Sequence, residues 1–256
     1  MFVNQDYADI LRYNGIEKAD DLWNIKSESV KSKLKERGTS RAFLKLPGTA
    51  ENLEIYIKRY TALPVKEYFK SAFSFKPIFI SGAMHEWEAT LSLIETGILT
   101  AEPIAAAKSS KGTCIVLRGI QNYIRASELL ARFANEKNFK SKRHLIAQIA
   151  EIAGKMHSAN FAHQDFYLLH FFVQWEDKKI YIIDLQRVIM QKKLSLRWRV
   201  KDLAQLNFSS KGLVRRTDKL RFWKRYCEIC GLNPKDISLI KTIFKKSAGY
   251  EKKKHH

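Results

Sequence analysis

Apolar and polar positions follow a regular period in only a few stretches of this chain, and those stretches set its outline. Near the start, Ile10, Leu11, Ile16, Leu22 and Trp23 are apolar among polar neighbours, which predicts a small helical cap over residues 1–25. Ala42-Phe43-Leu44-Lys45-Leu46 and Leu53-Glu54-Ile55-Tyr56-Ile57-Lys58 flank the turn pair Pro47-Gly48. The second run alternates with period two, so a β-hairpin is expected. Trp87, Leu91 and Ile94 recur at helical spacing over residues 84–96, with Gly97 as the stop. Thr113–Leu117 reads as a short buried strand, and Arg118-Gly119-Ile120 as a connector. Leu145, Ile149, Ile152 and Met156 then fall at i, i+4, i+7 and i+11, the stripe of an amphipathic helix. Two strands follow, near Phe171–Trp175 and Ile180–Ile183, joined by the polar turn Glu176-Asp177-Lys178-Lys179. The remainder reads as helix.

A β-rich part with one inserted helix thus precedes a helical part. The expected fold class is α+β, with two lobes: residues 1–117, a connector at 118–121, and a helical lobe at 122–256. This is the element order of a bilobal kinase, and a generic α+β protein shares it. No internal repeat or low-complexity linker interrupts it.

Charge adds a second asymmetry. The net charge is +20 over 256 residues. From Arg187 onward there are twenty Lys and Arg against five Asp and Glu, or +15, which leaves +5 for the first 186 residues. A one-sided basic surface suits an anionic partner: nucleic acid, an acidic membrane face or a phosphorylated glycolipid. The plainer reading is a solvated basic surface. The hydrophobic fraction of 45% excludes a disordered polymer. Three cysteines argue against a disulfide scaffold and fit a reducing compartment. Cys227 and Cys230 form a C-x-x-C in a segment that reads as helix, so core-facing thiols are expected there rather than a metal site. Neither a signal peptide nor an apolar run of ~18 residues is visible, so a cytoplasmic or membrane-peripheral protein is expected.

Four positions carry candidate chemistry. Lys58 ends the alternating strand, where a kinase places the cation that holds nucleotide phosphates. An acidic residue on the next helix would pair with it. Glu86 and Glu88 both qualify, and Glu86 is preferred because Ala89, Thr90 and Leu93 follow it on one helical face. His163-Gln164-Asp165 has the His-x-Asp form in which the Asp orients the acceptor hydroxyl and takes its proton. Five residues on stands His170, in the place of a second metal ligand, suited to Mg²⁺ or to a phosphate oxygen. Asp184 ends the apolar strand Ile180–Ile183, where a carboxylate needs a partner and Mg²⁺ is the obvious one.

These residues sit in segments that resemble a known family. His163-Gln164-Asp165-Phe166-Tyr167-Leu168-Leu169-His170-Phe171 is similar to the His-Arg-Asp-x-Tyr-x-Cys-His-Phe signature of lipopolysaccharide core kinases, which phosphorylate inner-core heptose or Kdo. Ile183-Asp184-Leu185-Gln186-Arg187 resembles their Ile-Asp-Leu-His-Arg. The run from Arg197 to Ser209 resembles their Arg-Trp-x-x-Lys-Asp-Leu-x-x-Leu-x-Phe-Ser. Upstream, Arg37–Arg41 and Tyr56–Tyr60 resemble two of their strands, so the likeness covers roughly residues 10–228. It implies a protein-kinase-like fold, ATP and Mg²⁺ as cofactors, and an anionic glycolipid acceptor met at the cytoplasmic face of the inner membrane. It further implies Asp165 as catalytic base, Lys58 with Glu86 at the phosphates, and Asp184 at the metal; His170 matches the family's own His, at metal or phosphate. His163 and Asp202 would support the catalytic loop. Gln164, Leu169 and Gln186 depart from the family's Arg, Cys and His. No Gly-x-Gly-x-x-Gly is present, and the nucleotide-covering loop would fall near Lys33–Gly38.

Two other function classes compete: a kinase of proteins or other small molecules, and a non-catalytic pseudokinase or basic nucleic-acid-binding protein. Retention of Lys58, Asp165 and Asp184 together argues against a pseudokinase. No nucleic-acid-binding signature supports a specific nucleic-acid partner.

Overall fold

In the computed structural model, which describes residues 1–30, 37–61 and 82–254, the chain forms two units. One comprises residues 1–91 and 101–120, the other residues 92–100 and 121 onward.

The first unit contains β1 (Phe2–Val3), the short helices α1 (Ala8–Tyr13) and α2 (Ala19–Trp23), β2 (Glu28–Val30), β3 (Arg37–Lys45) and β4 (Asn52–Thr61). Helix α3 (Ala83–Glu95), β5 (Pro103–Ser109) and β6 (Gly112–Arg118) follow. The strands form one antiparallel sheet in the order β1-β5-β6-β4-β3-β2. Its two faces have separate cores. Ile55, Ile57, Ala105, Ala107, Cys114 and Val116 pack against Leu11, Ile16 and Leu22 of the cap. Tyr60, Ala106, Ile115 and Leu117 pack against Ala83 and Trp87 of α3.

The hairpin is present but longer than its alternating runs: β3 begins at Arg37, and β4 passes Lys58 to end at Thr61. The cap region opens with a strand, because Phe2 and Val3 pair with Ala106 and Ala105. Strand β5 escapes sequence reading because its core is three alanines, the best helix formers. Layers on both sides of the sheet bury Ala105, Ala106 and Ala107 completely, so small side chains fit there and tertiary packing overrides propensity. The nucleotide-covering loop expected near Lys33–Gly38 lies mostly outside the described residues. Gly38 itself lies within β3, opposite Arg59.

Helix α3 corrects one reading. Leu91 and Ile94 are 39% and 42% exposed, so the Trp87-Leu91-Ile94 stripe is not the buried face. Glu86, Ala89, Thr90 and Leu93 point inward instead. Gly97, at φ +74°, ends the helix in a left-handed step that favours glycine.

The second unit contains β7 (Ile124–Arg125), α4 (Ala126–Asn135), α5 (Phe139–Ser158), β8 (Phe161–Ala162), β9 (Phe171–Gln174), β10 (Lys179–Ile182) and β11 (Ile189–Met190). Helices α6 (Leu196–Ser209), α7 (Arg216–Cys230) and α8 (Ile237–Lys254) complete it. Leu145, Ile149 and Met156 of the stripe on α5 are buried, and Ile152 is half-buried. The adjoining Gly154 lets α7 approach closely, since a Cβ there would lie 2.8 Å from Ile229. Cys227 is buried, whereas Cys230 is partly exposed, and both thiols are free. Strands β9 and β10 form a hairpin with Phe171 opposite Ile182, and β8 pairs with β11.

Candidate active site

In the first unit, pleating sets the site. Ile55 and Ile57 face the cap, so Lys58 faces α3, where it is 6% exposed. There its Nζ hydrogen-bonds Glu86 Oε1. Tyr60 Oη donates to the other carboxylate oxygen at 2.5 Å. Two buried charges are tolerable only when paired and hydrogen-bonded, and Glu86 has a partner on each oxygen. Glu88 is exposed. The Lys58–Glu86 pair therefore reflects the same alternation and helical spacing that were legible in the sequence.

In the second unit, the loop from His163 to His170 is held by one polar face of α6. Asp202 accepts from the backbone N–H of His163 at 2.6 Å and of Gln164 at 2.8 Å. Gln205 Oε1 accepts from the N–H of Phe166 at 3.0 Å, and its Nε2 donates to the Gln164 carbonyl at 2.7 Å. Ser209 Oγ accepts from Leu168 N–H at 3.0 Å. Residues 202, 205 and 209 follow i, i+3, i+7 spacing, so one helix face satisfies a loop that has no ladder of its own. Gln164 adopts φ +67°, a strained step for a non-glycine residue, stabilised by this clamp. Below it, fully buried His157 bonds Tyr226 Oη at 2.8 Å and lies 3.3 Å from Asp202.

His163 joins this loop to the one bearing Asp184. Its Nδ1 accepts from Asp165 N–H at 3.2 Å, and its Nε2 donates to the Ile183 carbonyl at 3.0 Å. Both bonds are made at once by the neutral Nε2–H tautomer. Burial, and secondarily the nearby His170, hold its pKa below the usual histidine value. His170 Nδ1 donates to the Asp165 carbonyl at 2.6 Å, leaving Nε2 with a lone pair when the ring is neutral. The Ile183 N–H donates to the His170 carbonyl at 3.0 Å, so His170 and Asp184 leave adjacent ends of the β9–β10 hairpin. Asp184 is in a left-handed conformation, φ +66°. A ring N–H held by a backbone carbonyl is the usual support of a metal-ligating imidazole. Among the described residues no three His, Cys, Asp or Glu side chains converge as a metal cluster. A carboxylate and an imidazole at adjacent hairpin ends fit an ion that takes one or two protein ligands and fills the rest with water and phosphate oxygens, which is how Mg²⁺ binds.

Asp165, partly exposed, meets Arg187, whose Nη1 lies 3.2 Å from both carboxylate oxygens. Lys201 bonds Gln164 Oε1 at 3.1 Å; burial first, then the Arg187 charge, lowers its pKa. The structure thus gathers His163, Asp165, His170, Asp184 and Asp202 in the second unit, and Lys58 with Glu86 in the first. Sequence reasoning assigned no role to Arg187, Lys201, Gln205 or Ser209. Arg187, Lys201 and Ser209 stood in the motifs that resemble the family, and for Gln205 the available signal was polarity on the inner face of a helix, three residues after Asp202.

A family model described as the lipopolysaccharide kinase (Kdo/WaaP) family matches residues 20–226. The chain belongs to this family. Among lipopolysaccharide kinases, it is 34% identical over 185 residues to the lipopolysaccharide core heptose(I) kinase WaaP of Escherichia coli strain K12, covering 67% of this chain and 69% of that protein. It is 32% identical over 166 residues to the enzyme of the same name from Pseudomonas aeruginosa, covering 57% and 60%. A solved structure of WaaP in complex with acyl carrier protein superposes with a TM-score of 0.72 at 22% identity, over 97% of this chain and 98% of that one. The fold is thus the α+β fold of these kinases. As a lipopolysaccharide kinase, the chain is a phosphotransferase that acts on a sugar hydroxyl of the inner core. Helix α8 lies beyond the matched segment. Its Tyr250 packs edge-on against Phe208 of α6, and burial first, then the neighbouring Tyr167, push the Tyr250 pKa up to about 12.

Proposed function

We propose that the acceptor is a heptose hydroxyl of the lipopolysaccharide inner core, that ATP is the donor and that Mg²⁺ assists. The reading rests on one observation above all: Asp165 projects from a loop whose backbone α6 clamps, in a chain whose curated relatives are heptose(I) kinases. Asp165 orients the hydroxyl and takes its proton. Lys58, held by Glu86, takes the α- and β-phosphates. Asp184 and His170 would hold Mg²⁺, which would neutralise the phosphate charge. Such a reaction needs positioning and charge neutralisation more than covalent chemistry, and these side chains supply both. The +15 of residues 187–256 draws the anionic glycolipid and favours peripheral contact with the membrane face that carries it. No helix among the described residues is long and apolar enough to cross a membrane.

Acyl carrier protein is the proposed protein partner, as in the solved WaaP complex. A cavity of about 350 Å³ within the second unit supports this: Leu130, Ile149, Leu206, Trp223 and Ile243 give it apolar walls, and Lys219 is a cation at its lining. The test of the acceptor is a panel assay with γ-labelled ATP and Mg²⁺. Core glycolipid with its heptose should be labelled, and Kdo–lipid A lacking heptose should not. Equal labelling of both, or preferential labelling of a generic protein, would overturn the heptose assignment.

A further inference from the structure

Arg187 has a fixed root and an uncommitted tip. It closes the short turn Leu185–Arg187 that follows Asp184. Leu185 and Val188 on either side are buried at 2% and 1% exposure, and its own carbonyl accepts from Gln164 Nε2 at 2.7 Å. Gln164 is in turn held by Lys201 through its Oε1. The residue that departs from the family's Arg in the catalytic loop therefore anchors the backbone of Arg187.

The side chain is different. It is 45% exposed, and a single nitrogen, Nη1, meets both oxygens of Asp165. Nε and Nη2 donate to nothing among the described residues. An arginine serving only to hold a carboxylate normally presents two nitrogens in parallel. Here two of the three guanidinium nitrogens are left over beside the residue read as the base. The loop from Asp165 to Leu169 carries no cation of its own.

We propose that Arg187 is a catalytic residue whose free Nε and Nη2 donors bind the γ-phosphoryl group as it passes to the acceptor. The inference rests on the kinase reading above. In that step the acceptor oxygen forms a bond to the γ-phosphorus and the bond to the β,γ-bridging oxygen breaks. The hydroxyl proton goes to Asp165, and ADP leaves with the electron pair. Charge builds on the phosphoryl oxygens, and a guanidinium fork suits them. A cation already beside Asp165 needs no reorganisation to meet that charge.

The test uses the full chain with Mg·ADP, with and without aluminium fluoride, a mimic of the phosphoryl group in flight. Wild type should bind Mg·ADP more tightly when fluoride is present. Arg187→Ala should keep Mg·ADP affinity within about twofold and lose about tenfold or more of the fluoride-dependent gain. Its kcat should fall by about 10²–10³-fold with little change in the KM for ATP, and Arg187→Lys should recover part of both losses. Should Arg187→Ala fail to fold, Arg187→Gln carries the same comparison. A substituted enzyme that retains the full fluoride gain overturns the proposal and leaves Arg187 as a support of Asp165. So does a wild type that binds Mg·ADP with no fluoride gain. Failure of the kinase reading is distinguishable: wild type would then neither bind Mg·ADP nor turn over ATP.

Discussion

The two units hold their charged groups by different means. In the first, Lys58 is held by a buried ion pair between a strand and a helix, with both partners on regular backbone. In the second, Asp165 lies on irregular backbone, and neutral side chains with one carboxylate on α6 hold the loop through its N–H and C=O groups. The first arrangement fixes a charge by another charge. The second fixes a shape through the backbone, and Asp165 meets a charge only at its partly exposed tip, through Arg187. Loss of a partner should therefore expose a charge in the first unit and release a loop in the second.

The largest effect on stability is expected at Asp202. Replacing it by Ala strips the acceptor from two buried backbone donors, at ~1–3 kcal/mol each, so unfolding in urea should show a loss of about 4 kcal/mol. A loss under about 1 kcal/mol would mean that the loop is held without α6. Glu86→Gln comes next. It removes the counter-charge of buried Lys58 while keeping an amide oxygen in place, and should cost about 3 kcal/mol and raise the KM for ATP. Glu88→Gln, on the exposed side of the same helix, should stay within about 0.5 kcal/mol of wild type. Equal effects of the two substitutions would remove the ion pair from the account.

The smallest effect is the pH dependence carried by His163. Its pKa lies lower in the folded than in the unfolded chain, so the unfolded state binds more protons just below pH ~6.5. Stability should rise with pH through that window and level off above it, with a slope of at most ~1.4 kcal/mol per unit. Urea midpoints at several pH values in EDTA buffer check this, and His163→Asn should flatten the slope. Midpoints that fall with rising pH would contradict the neutral tautomer inferred from its two hydrogen bonds.

The same contrast explains what the sequence disclosed. Lys58 and Glu86 sit on elements with a period, so alternation and the Glu86-Ala89-Thr90-Leu93 face announced both. The period also misled where tertiary packing decided: Leu91 and Ile94 looked like a core stripe. The alanines of β5 announced no element. In the second unit no period marks residues 163–170. The loop was legible as a His-x-Asp placed after the amphipathic helix and before a hairpin ending in Asp184, and then as a motif resembling a family. The clamp of Gln205 and Ser209, and the contact of Arg187 with Asp165, depend on which helix face meets the loop, and no local pattern encodes that.

The central claim is that this chain moves phosphate to a core sugar by way of Asp165. Its most direct test is transfer from γ-labelled ATP with Mg²⁺ to heptose-bearing core glycolipid, by wild type and Asp165→Asn side by side. The account predicts labelled glycolipid from wild type. It predicts a kcat lower by about 10²–10⁴-fold in the variant, with its thermal unfolding and ATP binding nearly unchanged. A variant that keeps more than about a tenth of the wild-type rate would contradict it.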